Sequence, residues 1–293
     1  MLKPLTTYLE RRAQRHFPRA FYRLVQKPRY RRMFNAERQL AQGVPLSESQ
    51  HPSILFFTHP KCASRYVRSI LVRLAEAEGM RAIDFDAYVA VDPPPREFNP
   101  YKPDGSLATA FQPRGYCYGA IGSYRPIPNM DQYRVVLNLR DPRDVLTSLY
   151  YSTAYSHAVI SPKLLRRRKE AQDLSVDEFV LSNIDEALNV YTRYCDTLLK
   201  TDALFLTYEE MVGDFERWLT KLVTHIDMGR HQSLVQAIMD EANFDVKKED
   251  KYSQRRQVTP GDHSRKLQPE TIEALNQHFG AVLAAMEYPR SEE

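Results

Sequence analysis

Apolar residues follow two different rhythms along this chain. Up to about residue 50 they recur at helical spacing: Phe17, Phe21, Leu24 and Val25 share a face, with Arg15, Arg19 and Arg23 among them. From residue 52 short apolar runs alternate with longer amphipathic stretches. Residues 53–58 (SILFFT) form a run rich in strand formers, suited to a buried parallel strand. Residues 64–78 follow as a predicted helix with Val67, Ile70, Leu71 and Leu74 on one side. Further strands are expected at 81–85, 116–121, 134–139 (RVVLNL) and 203–207 (ALFLT). Asp141-Pro142 places a capping carboxylate and a first-turn proline at the start of another helix. A single long helix is expected over 176–200, and others over 214–226, 233–241 and 269–286. Residues 92–114 contain six prolines and cannot be regular. Loops of that length in compact domains are often functional.

Strands interleaved with helices imply a parallel sheet covered on both faces. The expected architecture is α/β: a P-loop-like, three-layer fold with a central, mostly parallel sheet of about five strands. Residues 1–50 are expected to be a basic helical extension and 51–293 one domain.

Charge sharpens this division. The net charge of +4 combines +8 from residues 1–50 with −4 from the remainder. The basic arm suits an apolar stripe packed on the domain, contact with an anionic membrane surface, or capture of an acidic acceptor. No nucleic-acid reading motif accompanies it, which argues against that class of partner. The three cysteines, Cys62, Cys117 and Cys195, are too dispersed for a disulfide framework or a zinc site, so a reducing compartment is expected. With no apolar run near the roughly 18 residues of a membrane span, and arginines interrupting the N-terminus, a cytoplasmic protein is the expectation.

Two segments carry chemistry. In Thr58-His59-Pro60-Lys61-Cys62-Ala63-Ser64-Arg65-Tyr66 a buried strand ends, a short loop with Lys61 follows, and a helix begins. Ligands in open α/β sheets bind beyond the carboxyl ends of the strands. A helix N-terminus there, with a lysine beside it, suits a phosphate or sulfate. The Walker pattern of ATP-binding P-loops is absent. The second segment, Arg140-Asp141-Pro142-Arg143-Asp144 through Ser148, sets an arginine at a strand end and a serine about two turns into the next helix. Together they can hold a second phosphate, the arginine through a charged fork.

These segments resemble the two nucleotide-binding signatures of the cytosolic-type sulfotransferases, which use 3′-phosphoadenosine 5′-phosphosulfate (PAPS). THPKCASRY is similar to that family's TYPKSGTTW loop, and RDPRDVLTSLY to its RxPRDxxxSxY segment. The first resemblance implies that Lys61, Cys62, Ala63, Ser64 and Arg65 wrap the 5′-phosphosulfate, with Tyr66 in the place of a tryptophan that stacks on the adenine. The second implies that Arg140 and Ser148 bind the 3′-phosphate. Tyr208-Glu209-Glu210-Met211 is similar to a YEDM segment whose tyrosine lies near the adenine. The stretch 255–263 resembles RKGxxGDW, whose arginine reaches the 3′-phosphate; either Arg255 or Arg256 fills that place.

The family resemblance implies metal-free sulfonate transfer to an acceptor hydroxyl or amine, with Lys61 stabilising the leaving phosphate. The chain departs from the pattern in four places. Ala63 replaces a glycine, Arg65 a threonine, Tyr66 a tryptophan, and Gly122-Ser123-Tyr124 stands where a K-[ST]-H stretch carries the catalytic histidine. Candidate bases in its stead are Asp84, Asp86 and His157, with Asp86 preferred. The acceptor is expected to be a small molecule, saccharide or lipid. Arg166-Arg167-Arg168-Lys169 would suit an anionic one. The alternatives are a P-loop-like kinase or nucleotide hydrolase, and a catalytically lapsed PAPS-binding or membrane-associated protein.

Overall fold

The computed structural model describes residues 32–90, 109–156, 162–242 and 258–289. Five strands, β1 (Ile54–Thr58), β2 (Arg81–Ile83), β3 (Tyr116–Ile121), β4 (Arg134–Leu139) and β5 (Leu204–Thr207), form one sheet in the order β2-β3-β1-β4-β5. Every pairing in it is parallel. Side chains on β1 alternate between two cores, as the period of a strand requires. Ile54 and Phe56 face a cluster with Val67, Leu71, Trp218 and Leu222, whereas Leu55 and Phe57 face Leu146, Tyr191, Tyr194 and Phe279. The first cluster is covered by α2 (Ser64–Ala77) and α9 (Phe215–His225). The second is covered by α4 (Pro142–Tyr151), α7 (Ile184–Asp196), α12 (Pro269–His278) and α13 (Gly280–Ala285). This is the three-layer α/β arrangement expected.

Several boundaries differ from the periodicity, each for a local reason. The strand expected over 81–85 stops at Ile83, because Asp84 accepts the Ala87 N–H at 2.8 Å and starts α3 (Phe85–Ala90). The single helix expected over 176–200 is broken into α6 (Val176–Ser182), α7 and a 3₁₀ turn (Leu198–Lys200). At the first break the Asn183 amide donates to the Phe179 carbonyl at 2.7 Å, competing with the helix ladder. Likewise 269–286 divides at Phe279 into α12 and α13.

Within the N-terminal region, helix α1 (Asn35–Ala41) packs on the domain. Leu40 is fully buried in the same core as Phe57, and Glu37 accepts the Asp84 N–H at 3.0 Å. The Tyr116 hydroxyl accepts the N–H groups of Leu46 and Ser47. The apolar stripe Phe17–Val25, most of the proline-rich stretch (91–108), His157, Arg255 and Arg256 lie outside the described residues. No helix among the described residues is long and apolar enough to cross a membrane.

Candidate active site

The chain leaves β1 toward one side of the sheet and reaches β4 on the other, so the strand order reverses between them. Ligands in doubly wound sheets bind at such a reversal, beyond the strand ends. β1 and β4 are hydrogen-bonded neighbours, with Thr58 opposite Asn138. The two signature segments therefore emerge side by side: Lys61 lies three residues past Thr58, and Arg140 two past Asn138.

The β1–α2 loop is built from backbone. Lys61 (φ 75°) and Ala63 (φ 56°, ψ 25°) both adopt the left-handed conformation. This turns the chain sharply enough for the α2 N-terminus to close over the strand end. The Ala63 carbonyl accepts the N–H groups of Tyr66 (2.9 Å) and Val67 (3.1 Å). Alanine thus keeps the geometry for which glycine is the usual residue, at a steric cost. Asn138, fully buried, donates to the Cys62 carbonyl at 2.9 Å and accepts from the Trp218 indole at 3.3 Å, tying the loop to β4 and α9. Cys62 is a packing residue. Burial pushes its thiol up to about 12, against a weak opposing contact with the Tyr191 hydroxyl. Ser64 begins α2, Arg65 is exposed, and the half-buried Tyr66 lies 6.1 Å from the Phe215 ring.

Past β4 the site is built from side chains. Asp141 caps α4 by accepting the Arg143 N–H at 2.9 Å. Arg140 is 5 % exposed, and its Nη2 donates to Asp144 Oδ2 at 2.8 Å. Its guanidinium carbon stands 4.2 Å from the centre of the Tyr208 ring. Tyr208 enters because Leu139 pairs with Thr207, putting the residue after β5 beside the residue after β4. The buried Arg140 Nε has no acceptor among the described residues. Burial opposes the charge on Arg140, but Asp144, Tyr208 and Glu209 together outweigh it and raise the guanidinium pKa further. For Asp144 burial pulls upward, yet the His263 side-chain bond and the Arg140 charge hold its carboxyl well below the usual range. Ser148 is half-buried in α4, two turns on from Arg140.

Two tyrosines on one face of α7 close the strand ends. Tyr191 donates its hydroxyl to the Arg140 carbonyl at 2.7 Å, and Tyr194 donates to the Thr58 carbonyl at 3.0 Å. The motifs did not reveal either, nor Asn138 and His263; the Asp144 partner of Arg140 lies within the second segment. The i, i+3 spacing of Tyr191 and Tyr194 was the signal that could have revealed the pair.

Of the candidate bases, Asp84 is committed to structure. It caps α3 and approaches Arg68 Nε at 3.2 Å, and burial raises its carboxyl above the ordinary value. Asp86 is half-buried, and its Oδ2 accepts the Gly122 N–H at 2.7 Å. That bond sets it beside Gly122-Ser123-Tyr124 at the carboxyl end of β3. Tyr124 stacks on Phe57 at 6.3 Å.

A cavity of about 370 Å³ lies behind this cluster, walled by Asp141, Arg143, Glu209, His263, Asn276 and Tyr288 among others. None of the β1–α2 loop lines it, and two carboxylates do, so it does not suit the anion.

Comparison with known proteins agrees with this fold. The chain superposes on the crystal structure of mouse sulfotransferase SULT7A1 complexed with PAP, with a TM-score of 0.52 and 12% identity over 86% of this chain and 93% of that one. Retinol dehydratase in complex with androsterone and inactive cofactor PAP gives 0.50 and 13% over 84% and 83%. At such identities these matches establish the fold alone. No curated protein matches the sequence. The family model of the sulfotransferase domain matches residues 128–287, more than half of the chain and including β4, Arg140, Ser148, Tyr208 and His263. The chain belongs to the sulfotransferase-domain family and is a sulfotransferase.

Proposed function

We propose that this protein moves a sulfonate group from PAPS to a hydroxyl or amine of a small-molecule acceptor, in the crevice between the ends of β1 and β4. The observation that carries this reading is Arg140. It is a buried, fully charged guanidinium whose Nε has no acceptor among the described residues and which emerges beside an anion-type loop. A buried donor without a partner costs about 1–3 kcal/mol, so the site favours an anion that completes it.

PAPS, when bound, supplies a sulfonate on a phosphosulfate whose departure leaves charge on the 5′-phosphate. Lys61 and the N-terminus of α2, with Ser64 and Arg65, hold that end and meet the developing charge. Arg140 and Ser148 hold the 3′-phosphate, joined in this reading by Arg255 or Arg256. Tyr66, against Phe215, and Tyr208 offer aromatic faces for the adenine. Asp86 accepts the acceptor's proton, from the end of β3 where the related motif carries histidine. The family assignment leaves the kinase-like alternative without support.

Calorimetric titration with 3′-phosphoadenosine 5′-phosphate (PAP) tests the nucleotide reading. Binding that Arg140→Ala abolishes, with ATP weak, is expected; preference for Mg-ATP would overturn it. For the base, Asp86→Asn should lower kcat by about 10²–10⁴-fold with PAP affinity unchanged. Full activity in that variant would remove Asp86 from the role. Binding without turnover against any acceptor would favour the lapsed form.

A further inference from the structure

Asp144 is fully buried and accepts four hydrogen bonds. Oδ2 takes Arg140 Nη2 (2.8 Å) and the Gly261 N–H (2.9 Å). Oδ1 takes the His263 N–H (2.9 Å) and the His263 side chain through Nδ1 (2.7 Å). Facing a carboxylate, that ring nitrogen carries the proton and donates. His263 is 5 % exposed, in the short helix α11 (Asp262–Lys266). The same segment controls the other wall of the arginine, because Tyr208 donates its hydroxyl to the Val258 carbonyl at 2.7 Å.

The arrangement matters because an arginine and a carboxylate prefer a two-point fork. A fork with Asp144 would engage a second Arg140 nitrogen and withdraw it from any ligand. Here both oxygens of Asp144 are filled, and only one bond remains for Arg140. The buried Nε is left without an acceptor among the described residues.

We infer that His263 is a positioning residue for recognition of the 3′-phosphate: by occupying Asp144 Oδ1 it holds the Arg140 fork open toward the ligand. It touches neither nucleotide nor acceptor and acts through Asp144. The inference rests on the PAPS reading above and adds to it how the site distinguishes a 3′-phosphorylated nucleotide.

The test compares PAP with adenosine 5′-monophosphate on the full chain by calorimetry, for wild type, His263→Leu and His263→Asn. The asparagine amide can supply a donor near the Nδ1 position; leucine cannot. His263→Leu should lose about tenfold or more in PAP affinity, the worth of one hydrogen bond to a charged group, while its affinity for the monophosphate stays at the wild-type value. His263→Asn should restore most of the loss. If thermal melting shows His263→Leu unfolded, His263→Phe, which keeps a ring and has no donor, takes its place. A wild-type ratio of the two affinities in the variant lacking the donor would overturn the inference and leave the PAPS reading standing. Failure of the wild type to bind PAP would overturn both, and shows before any variant is made.

Discussion

The two halves of the proposed nucleotide site are made by opposite means. Beyond β1 the chain shapes its backbone, with two non-glycine residues in the left-handed region and a helix N-terminus behind them. Beyond β4 it assembles side chains from three separate segments, Arg140 and Asp144, Tyr208, and His263, in a nearly dry cluster. The first half depends on local backbone conformation. The second also draws on partners far apart in sequence, and losing Asp144 leaves the buried Arg140 charge uncompensated. On the proposed function, stability and recognition should be separable at Lys61 and coupled at Arg140.

The largest effect should come from breaking the coupled half. Asp144→Ala strands Arg140 without its buried partner, and such a loss costs about 3–5 kcal/mol. Chemical denaturation should show that fall in stability, accompanied by loss of PAP binding. A soluble, wild-type-stable variant would mean the cluster is not the keystone we describe. Next comes Lys61→Ala, where function should fall without stability. A drop of about 10²–10³-fold in kcat, as for loss of a charge-stabilising donor, should leave the melting temperature unchanged. A lowered melting temperature would erase the contrast between the halves.

The backbone half is probed by Ala63. Left-handed conformation costs a non-glycine residue about 1–2 kcal/mol, and a β-branched residue suffers more. Ala63→Val should therefore destabilise the protein by about 1 kcal/mol or more, whereas Ala63→Gly should be neutral or slightly stabilising in thermal melts.

The smallest expected effect concerns a buried carboxyl that is less well satisfied than Asp144. Glu37 is 6 % exposed, and its Oε2 has no partner among the described residues. Burial raises its carboxyl, more than the Asp84 N–H bond lowers it. An acid held above its unfolded value costs stability at high pH. The cost fades as the pH falls through the folded value and is absent below the ordinary 4.5. Glu37→Gln should melt slightly higher than wild type at about pH 8, with the gain gone by about pH 4. Asp144 has the opposite sign: its contribution is present above the ordinary 3.8 and is lost in acid as the pH falls through its lower folded value. A gain from Glu37→Gln that grew in acid would contradict the burial argument.

The strands were legible because a strand buried on both faces leaves an unbroken apolar run. The SILFFT and RVVLNL runs lie where expected, and Asp141-Pro142 starts its helix as a capping pair should. Helix interruptions were not legible. Asn183 ends α6 through a side-chain bond that periodicity does not register. Lys61 and Arg140 could be singled out from strand-end placement and resemblance. His263 and Asn138 could not, because their roles lie in contacts across 76 to 119 positions.

The sequence by itself determined the layer pattern, the two strand-end segments and the class of ligand they suit, since these follow from local periodicity and the chemistry of residues close in the chain. Only the tertiary structure decided which groups surround Arg140, that Asp84 is a helix cap while Asp86 stands beside β3, and that α7 seals the strand ends with Tyr191 and Tyr194. The physical reason is that a buried charge takes its meaning from whatever the fold brings against it, and that partner is set by strand order and register rather than by neighbours in sequence.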